Sequence, residues 1–232
     1  MSTEQIEAGS RPVSKKSAAG RGRPVDASKR DAIVAAAADA FFSHGYAASS
    51  IEQIAADAGV SKVTVYNHFG DKRALFAAAV ERECEKMRGH FSIDAELASL
   101  GIRERLTAIG EAIFAFLSRP EMVQFERRIA AETEHEPELG IAFLKAGPWR
   151  MKAAFSALLA FANERGELEI GDPQLAAEQF VSMCKGMGDL ERRFGATPSQ
   201  GDDRRRIAGA VDVFLRAYEP GEGTKPDFSD RK

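Results

Sequence analysis

The sequence predicts an all-α protein of about nine or ten helices, in which a three-helix helix-turn-helix unit is joined to a larger helical domain. Three observations support this prediction. Apolar residues recur three and four positions apart through most of the chain, no segment alternates convincingly with period two, and residues 49–75 encode two short helices joined by a glycine turn. At 232 residues the chain is long enough for one small module and one larger core.

Residues 1–26 are expected to form a disordered basic arm. Seven basic residues and one acidic residue fall between positions 11 and 30, with Gly, Ser, Ala and Pro among them. The tetrapeptide Arg21-Gly22-Arg23-Pro24 resembles the core of an AT-hook, a motif whose arginines enter a narrow minor groove. Both arginines are therefore candidate DNA contacts; the simpler alternative is a solubilising tail.

Residues 27–72 are expected to form a three-helix DNA-binding domain. Its second helix has two overlapping capping boxes, Ser49-x-x-Glu52 and Ser50-x-x-Gln53, in which side chains satisfy free backbone donors. Gly59 supplies the left-handed residue that ends this helix, and Ser61 is a ready N-cap for the next. These signals predict a tight turn between two short helices.

The helix after Ser61 carries the candidate DNA-reading surface. Val65 and Phe69 are four residues apart and are expected to pack inward. The residues left outside are Lys62, Val63, Thr64, Tyr66, Asn67 and His68. Their cation, hydroxyls, amide, imidazole and methyl groups suit phosphates, base edges and thymine methyls. A short polar helix that only caps a bundle is the simpler alternative, and the neighbouring turn favours DNA.

A continuous run of positions in residues 27–80 carries a family resemblance. The matched residues are Ile33, Ala36, Ala37, Ala40, Phe41, Gly45-Tyr46, Ile54-Ala55, Ala58-Gly59-Val60-Ser61, Tyr66, His68-Phe69, Lys72 and Leu75. In this order and spacing they resemble the TetR (AcrR) family of bacterial transcriptional regulators. Later residues, among them Pro137-Glu138-Leu139, Gly166-Glu167-Leu168 and Asp172-Pro173, resemble the AefR-like branch more weakly.

The resemblance implies a ligand-responsive regulator, most often a repressor, that binds double-stranded operator DNA. It implies that Lys62, Lys72 and the Tyr66 hydroxyl contact phosphates and that Ser50 holds the second helix to the strand. Thr64, Asn67 and His68 are then expected at base edges, with Val63 near a methyl group or sugar. A palindromic operator requires two recognition helices, so a homodimer is expected.

Residues 73–219 are expected to form the ligand-binding and dimerisation domain, and residues 220–232 a disordered tail. The first helix of this domain runs from about Asp71 to Phe91, and apolar stripes predict further helices up to Tyr218. The candidate pocket residues are Phe114, Phe125, Ile129, Trp149, Phe155, Met183 and Met187, although such residues more often fill a core. The candidate dimer-interface residues are Phe180, Cys184, Ile207, Val211, Phe214 and Tyr218.

Composition agrees with these expectations. The net charge is -3, yet residues 11–73 hold 10 basic and 6 acidic side chains, so the positive charge is concentrated where DNA is expected. Two distant cysteines do not predict a disulfide, and no signal peptide or membrane-spanning stretch is recognisable, so a cytoplasmic, nucleoid-associated protein without a membrane partner is expected.

No catalytic site or cofactor is expected. Glu132-x-x-His135 has the spacing of one half of a di-iron site, but the other three histidines lack a glutamate three residues before them. A metal-using helical-bundle enzyme is therefore the weaker alternative to a regulator. A second alternative is a DNA-architectural protein that uses the arm and the helix-turn-helix without any effector.

Overall fold

The computed structural model describes residues 23–88 and 100–221, and every regular element in these ranges is a helix, as predicted. The ten helices described are α1 (Arg23–His44), α2 (Ile51–Asp57), α3 (Lys62–Phe69), α4 (Lys72–Arg88), α5 (Ile102–Leu117), α6 (Pro120–Glu132), α7 (Pro137–Ala146), α8 (Pro148–Glu164), α9 (Pro173–Arg193) and α10 (Gln200–Tyr218). The predicted helix-turn-helix is α2, its turn and α3.

Helix α1 begins at Arg23, inside the segment predicted to be a disordered arm. Proline is tolerated in the first turn of a helix, where its missing N–H has no partner to lose, so Pro24 is compatible with this earlier start. The rest of the predicted arm, including Arg21, lies outside the described residues. The same holds for the predicted end of α4 near Phe91 and for most of the C-terminal tail.

The first hydrophobic core is formed by α1, α2, α3 and α4 together with two helices of the larger domain. Phe41, Tyr46 and Phe76 form a ring cluster with centroids 5.3 to 5.8 Å apart, and burial raises the pKa of Tyr46 to about 12. Phe125 of α6 and Leu139 of α7 belong to the same cluster of buried side chains. Helices α2 and α3 therefore rest on a core that they share with α6 and α7.

A second core lies among α5, α8, α9 and α10. A chain of aromatic rings runs through it from Phe155 through Phe180 and Phe214 to Tyr218, with successive centroids 4.7 to 5.3 Å apart. Each of these helices thus turns its most apolar face inward. None of the described helices is both long enough and apolar enough to cross a bilayer.

Helix α9 is broken at Gly186, whose backbone has φ +46° and ψ −152°. A side chain there would be strained, and a Cβ atom would lie only 2.6 Å from the Arg206 side chain of α10. Because the helix changes direction at this point, residues after Gly186 do not continue the faces set by the residues before it. Phe180 and Cys184 point into the core, whereas Met187 is 63% exposed.

Candidate DNA interface and internal cavity

Serine side chains cap the starts of both α2 and α3. The Ser50 hydroxyl accepts a hydrogen bond from the Gln53 amide (3.1 Å), and the Ser61 hydroxyl accepts one from the Thr64 amide (3.1 Å). Gly59 has φ +66°, the conformation that the sequence required of it. Ser50 rather than Ser49 is the N-cap; Ser49 is buried and its hydroxyl donates to the Gly45 carbonyl (2.7 Å).

Helix α3 presents one packed face and one accessible face. Val65 is 1% exposed and Phe69 is half-buried, as the spacing predicted. On the outer side Val63 is 66% exposed, Tyr66 is 41% exposed, and Asn67 is also exposed. The side chains predicted to read DNA are therefore concentrated on the open side of α3.

Thr64 and His68 are half-buried at the edges of this surface. The Thr64 hydroxyl lies 2.9 Å from the Ser61 hydroxyl, so the capping residue orients it. The His68 ring lies 6.1 Å from the ring of Phe69. Both side chains retain part of their surface, which a contact with bases requires.

Lys62, at the first position of α3, forms an ion pair with Glu52 of α2. The hydrogen bond lowers the pKa of Glu52 and raises the pKa of Lys62. Both side chains are well exposed, so the pair adds little stability in water. A phosphate that contacts Lys62 must therefore compete with, or share, this carboxylate.

Lys72, at the start of α4, is less accessible than expected for a lysine that simply contacts a phosphate. Its ammonium lies 4.4 Å from the centre of the Tyr46 ring and 3.5 Å from the Ala47 carbonyl oxygen. Desolvation lowers the pKa of Lys72. Of the two arginines predicted to contact DNA from the arm, Arg21 and the side chain of Arg23 lie outside the described residues.

A cavity of about 410 Å³ lies between the two hydrophobic cores. Its aromatic lining consists of Phe42, Phe116, Phe125, Phe143, Trp149 and Phe155. Val80, Cys84 and Met87 of α4 also face it, and α5, α8 and α9 complete the wall. Through Phe42, the first helix of the DNA-binding unit forms part of the cavity wall.

Only three of the residues predicted for the pocket line this cavity, namely Phe125, Trp149 and Phe155. Phe114, Ile129, Met183 and Met187 do not line it. Phe114 lies under the Arg192 guanidinium, 4.7 Å away; Ile129 is a core residue; Met183 packs on the second core; Met187 is largely exposed. Apolar residue type indicated which residues are suited to line a cavity. It did not indicate which face of each helix lines this one.

Several lining residues were missed, and Phe42 is the most informative. It follows Phe41, whose ring is fully buried, so it lies off the main apolar stripe of α1 and is only partly buried. Two adjacent phenylalanines cannot face the same side of a helix. The Phe41-Phe42 pair could therefore have indicated that α1 makes a second apolar contact.

Glu126 is a partly buried carboxylate in the cavity lining, which also holds Glu83, Lys185 and other polar side chains. Burial raises its pKa, and the positive charges of Arg193 and Lys185 offset part of this effect. The Arg193 guanidinium donates to one Glu126 oxygen at 2.9 Å. At another part of the lining, Lys152 of α8 and Glu178 of α9 form an ion pair at 3.1 Å. The cavity thus combines aromatic walls with a carboxylate that can accept hydrogen bonds.

Five of the six residues predicted for the dimer interface are buried inside the subunit rather than exposed on its surface. Phe180, Cys184, Ile207, Val211 and Phe214 are at most 3% exposed within the subunit's own core. Tyr218 is half-buried, and its hydroxyl donates to the Gln179 side chain at 2.9 Å. The periodic apolar stripe identified the inner face of each helix, because the core demands the most continuous apolar surface.

A different apolar face of α9 and α10 is open. Met187, Leu190 and Phe194 are 63%, 46% and 84% exposed and follow one another at helical spacing, and Val213 of α10 is 54% exposed. Exposed apolar residues grouped on one surface mark an interaction site more often than isolated ones do.

The Glu132-x-x-His135 pair does not belong to a metal cluster in the described part of the chain. There, no three side chains of His, Cys, Asp or Glu come together in a way that could hold an ion. Instead, one oxygen of Glu132 accepts a hydrogen bond from the Ala47 amide at 3.1 Å.

Comparison with known proteins identifies the family. The AefR-like transcriptional repressor C-terminal domain matches residues 104–220, half of the chain, and the tetR family of bacterial regulatory proteins matches residues 33–79. The transcriptional activator FasR of Mycolicibacterium smegmatis is 30% identical over 117 residues, which cover 49% of this chain and 53% of FasR. The alignment thus spans about half the length of that curated relative.

Solved structures agree over a larger share of the chain. A TetR-family transcriptional regulator from Mesorhizobium loti is 31% identical with a TM-score of 0.72, covering 84% of this chain and 98% of that one. The Flavonoid-responsive Regulator FrrA is 31% identical with a TM-score of 0.66, covering 83% and 97%. The chain therefore belongs to the TetR family of bacterial transcriptional regulators, with a C-terminal domain of the AefR-like type.

Proposed function

We propose that the protein is a dimeric, ligand-responsive regulator that binds a palindromic operator and is released from it by a small molecule. The observation that carries the proposal is the accessible face of α3, where Val63, Tyr66 and Asn67 are exposed on a short helix whose start is capped by Ser61. Sites on rigid elements position base contacts better than flexible loops do. No enzymatic step enters this proposal, and the protein is expected to act on DNA in the cytoplasm.

The side chains divide into two groups by the contacts that suit them. Lys62, the Tyr66 hydroxyl and the first turn of α2 at Ser50 are suited to phosphates, which fix orientation without reading sequence. Asn67, Thr64 and His68 are suited to base edges. Lys72 is proposed to reach a phosphate only by leaving the ring of Tyr46. Residues 27–72 remain the proposed DNA-binding domain and residues 73–219 the effector and dimerisation domain.

Dimerisation through the open face of α9 and α10 is supported by the exposure of Met187, Leu190, Phe194 and Val213. A two-fold pair buries the same patch on both subunits, so one apolar stripe is sufficient. The pair would present its two α3 helices to half-sites about 34 to 36 Å apart, or a multiple of one DNA turn.

Repression is the proposed sign of regulation, since the matched C-terminal domain is described as that of a repressor. The relative FasR is named an activator, so the sign depends on where the operator lies relative to the promoter. Footprinting across the genome decides it: operators that overlap promoters support repression, and operators upstream of them support activation.

The effector is proposed to be an uncharged aromatic molecule that carries hydroxyl groups. The aromatic walls and the volume of about 410 Å³ favour a flat apolar body, and Glu126 favours a hydrogen-bond donor over a second carboxylate. FrrA, with the same fold and 31% identity, is described as flavonoid-responsive. A hydroxylated flavonoid is therefore the first compound to test.

Trp149 makes this test direct, because it is the single tryptophan of the chain and lines the cavity. We expect naringenin, a hydroxylated flavanone, to quench Trp149 fluorescence and to release a duplex selected from random DNA. Unsubstituted flavanone and decanoate should bind at least about tenfold more weakly, because neither donates a hydrogen bond to the Glu126 carboxylate. In Trp149→Phe, calorimetry should still detect naringenin.

The control for the polar contact is Glu126→Gln, which keeps size and removes the charge. It should reduce the preference for naringenin over flavanone. If decanoate binds more tightly than naringenin, the proposed effector class is wrong. If no DNA sequence is enriched from the random pool, the proposal of an operator-binding regulator is wrong.

A further inference from the structure

We propose that helix α6 (Pro120–Glu132) carries the effector signal to the DNA-binding unit by holding the end of α1. The inference rests on the proposed function, because it assigns a route to the regulation of the same cavity. It is argued from four α6 side chains, two at the cavity and two at the helix-turn-helix unit. They are Phe125, Glu126, Arg128 and Glu132.

At the cavity, α6 and α1 share one wall. The Phe125 ring stacks on the Phe42 ring with centroids 4.1 Å apart and planes 13° apart, and both rings line the cavity. Phe125 is fully buried, and its ring also packs against those of Phe76 (6.0 Å) and Phe143 (5.7 Å). A guest that displaces either ring must therefore shift α6 against α1, because packed interiors do not deform continuously.

One of the polar groups that line the cavity, Glu126, lies next to Phe125 on the same helix. Glu126 is paired with Arg193 of α9, which also contacts Asp189 at 3.3 Å. A ligand hydroxyl that donates to Glu126 changes the balance of this pair. Both the apolar and the polar contacts that a guest makes on this side thus act on α6.

At its other end, α6 binds the backbone where α1 stops. Arg128 donates through Nη1 to the Ser43 carbonyl at 2.6 Å and lies 3.4 Å from the Phe42 carbonyl. The last carbonyls of a helix have no partner within the helix, and a cation there is favoured by the helix dipole. Phe42 is therefore contacted by α6 at both its ring and its backbone.

Glu132 extends this contact to the loop that leads into α2. One of its oxygens accepts from the Ala47 amide at 3.1 Å, three residues before the N-cap Ser50. Gly45, with φ +91°, lies directly against both side chains: a Cβ there would be 3.2 Å from Arg128 Cδ and 3.2 Å from Glu132 Oε1. We call this pair, Arg128 and Glu132, the α6 clamp. It fixes the segment that sets the position of α2 and α3.

The alternative route is α4, which also faces the cavity through Val80, Cys84 and Met87. Its outer side is tied to α7 by the Arg73 pair with Glu138 and to α8 by the Arg150 pair with Glu81. These charges are exposed, so removing one of them takes away a surface contact of α4 without changing either core. Matched arginine variants, one on α6 at its contact with α1 and one on α8 at its contact with α4, therefore separate the two routes.

The test compares Arg128→Met with Arg150→Met, both of which keep the aliphatic stem and remove the donors. Affinity for the selected duplex is measured with and without saturating naringenin, and naringenin binding is followed separately through Trp149. We expect naringenin to weaken DNA binding about 100-fold in the wild type and in Arg150→Met, and less than threefold in Arg128→Met. Arg128→Lys should fall between them, because an ammonium can still donate to the Ser43 carbonyl.

The same coupling is also measured without a guest. Val181 lines the cavity from α9, so Val181→Trp fills the space by mutation. It should weaken DNA binding at least tenfold in the wild-type background and less than threefold beside Arg128→Met. Equal weakening in both backgrounds, or full naringenin release in Arg128→Met, overturns the role of the clamp. If neither naringenin nor Val181→Trp weakens DNA binding in the wild type, the proposed release mechanism itself fails.

Discussion

Replacing Phe194 with serine is expected to separate the proposed dimer into monomers. The ring lies at the end of α9 and is 84% exposed in the subunit, more than any other large apolar side chain in the described ranges. It continues the stripe formed by Met187 and Leu190, and Val213 of α10 is also exposed. If a second subunit covers this face, Phe194 contributes more apolar area than its neighbours.

The size of the effect follows from that exposure. A phenylalanine side chain offers roughly 200 Å² of surface, so covering 84% of it is worth about 4 kcal/mol at about 25 cal/mol per Å². A two-fold interface contains two such rings, giving about 8 kcal/mol as an upper limit. Association costs reduce the observed gain, and half of the limit, about 4 kcal/mol, corresponds to about a thousandfold change in the dimer dissociation constant.

Analytical ultracentrifugation over a concentration series measures this constant. The matched control is Ile141→Ser on α7, which removes another exposed apolar side chain, 45% exposed, away from α9 and α10. We expect the control to remain dimeric and Phe194→Ser to dissociate at micromolar concentration. As a monomer, Phe194→Ser should also bind a palindromic duplex more weakly than the wild type does. A Phe194→Ser dimer within threefold of the wild-type constant refutes the assignment of this face.

Two further predictions concern the cap of α3 and the thiols. Ser61→Ala should lower the free energy of unfolding by about 1 kcal/mol in urea titrations, because the Thr64 amide loses its acceptor; an unchanged midpoint contradicts the capping role. Burial raises the pKa of Cys84 to about 11 and that of Cys184 to about 12, so at pH 8 a disulfide reagent should label the native protein at least about 100-fold more slowly than the unfolded chain. The pKa values of the two thiols in the folded protein exceed the ordinary value of 9.0, so the free energy of unfolding should fall as the pH rises from about 9 towards about 11 or 12. Rapid labelling of the native protein at pH 8 would contradict both statements.

The helix-turn-helix could be predicted from sequence because its signals are local. Ser50 and Ser61 cap the helix that follows each of them, and Gly59 adopts the positive φ that ends α2. Each of these effects involves residues no more than three positions away. Val65 and Phe69 then fix which face of α3 packs inward, and the outer face follows from them.

The exposed apolar face of α9 and α10, which is the proposed interface, could not be predicted in the same way. Helical periodicity finds the most continuous apolar stripe, and in α9 and α10 that stripe fills the subunit's own core. The break at Gly186 also changes the phase of α9, so Met187 and Phe194 lie on a face that an ideal helix through Phe180 would not place them on. The left-handed glycine conformation in the middle of a helix leaves no periodic signal.

The cavity and the α6 clamp depend on contacts between distant segments. Arg128 and Ser43 are 85 residues apart, as are Glu132 and Ala47. The spacing of Glu132 and His135 suggested half of a metal site, whereas the Glu132 carboxylate accepts a hydrogen bond from the Ala47 amide in the loop between α1 and α2. The residue type showed that Glu132 would take a polar partner. Which partner it takes is determined only by how α6 packs against the first core.

The most direct test of the central claim, that α3 reads DNA, is selection of binding sites from random duplexes by the wild type, Tyr66→Phe and Asn67→Ala. The wild type should enrich a palindrome. Tyr66→Phe should bind the same palindrome more weakly at every position, and Asn67→Ala should lose preference at one or two symmetric base pairs by about 1 to 3 kcal/mol. If both variants enrich the wild-type palindrome with unchanged affinity, α3 is not the helix that reads the operator.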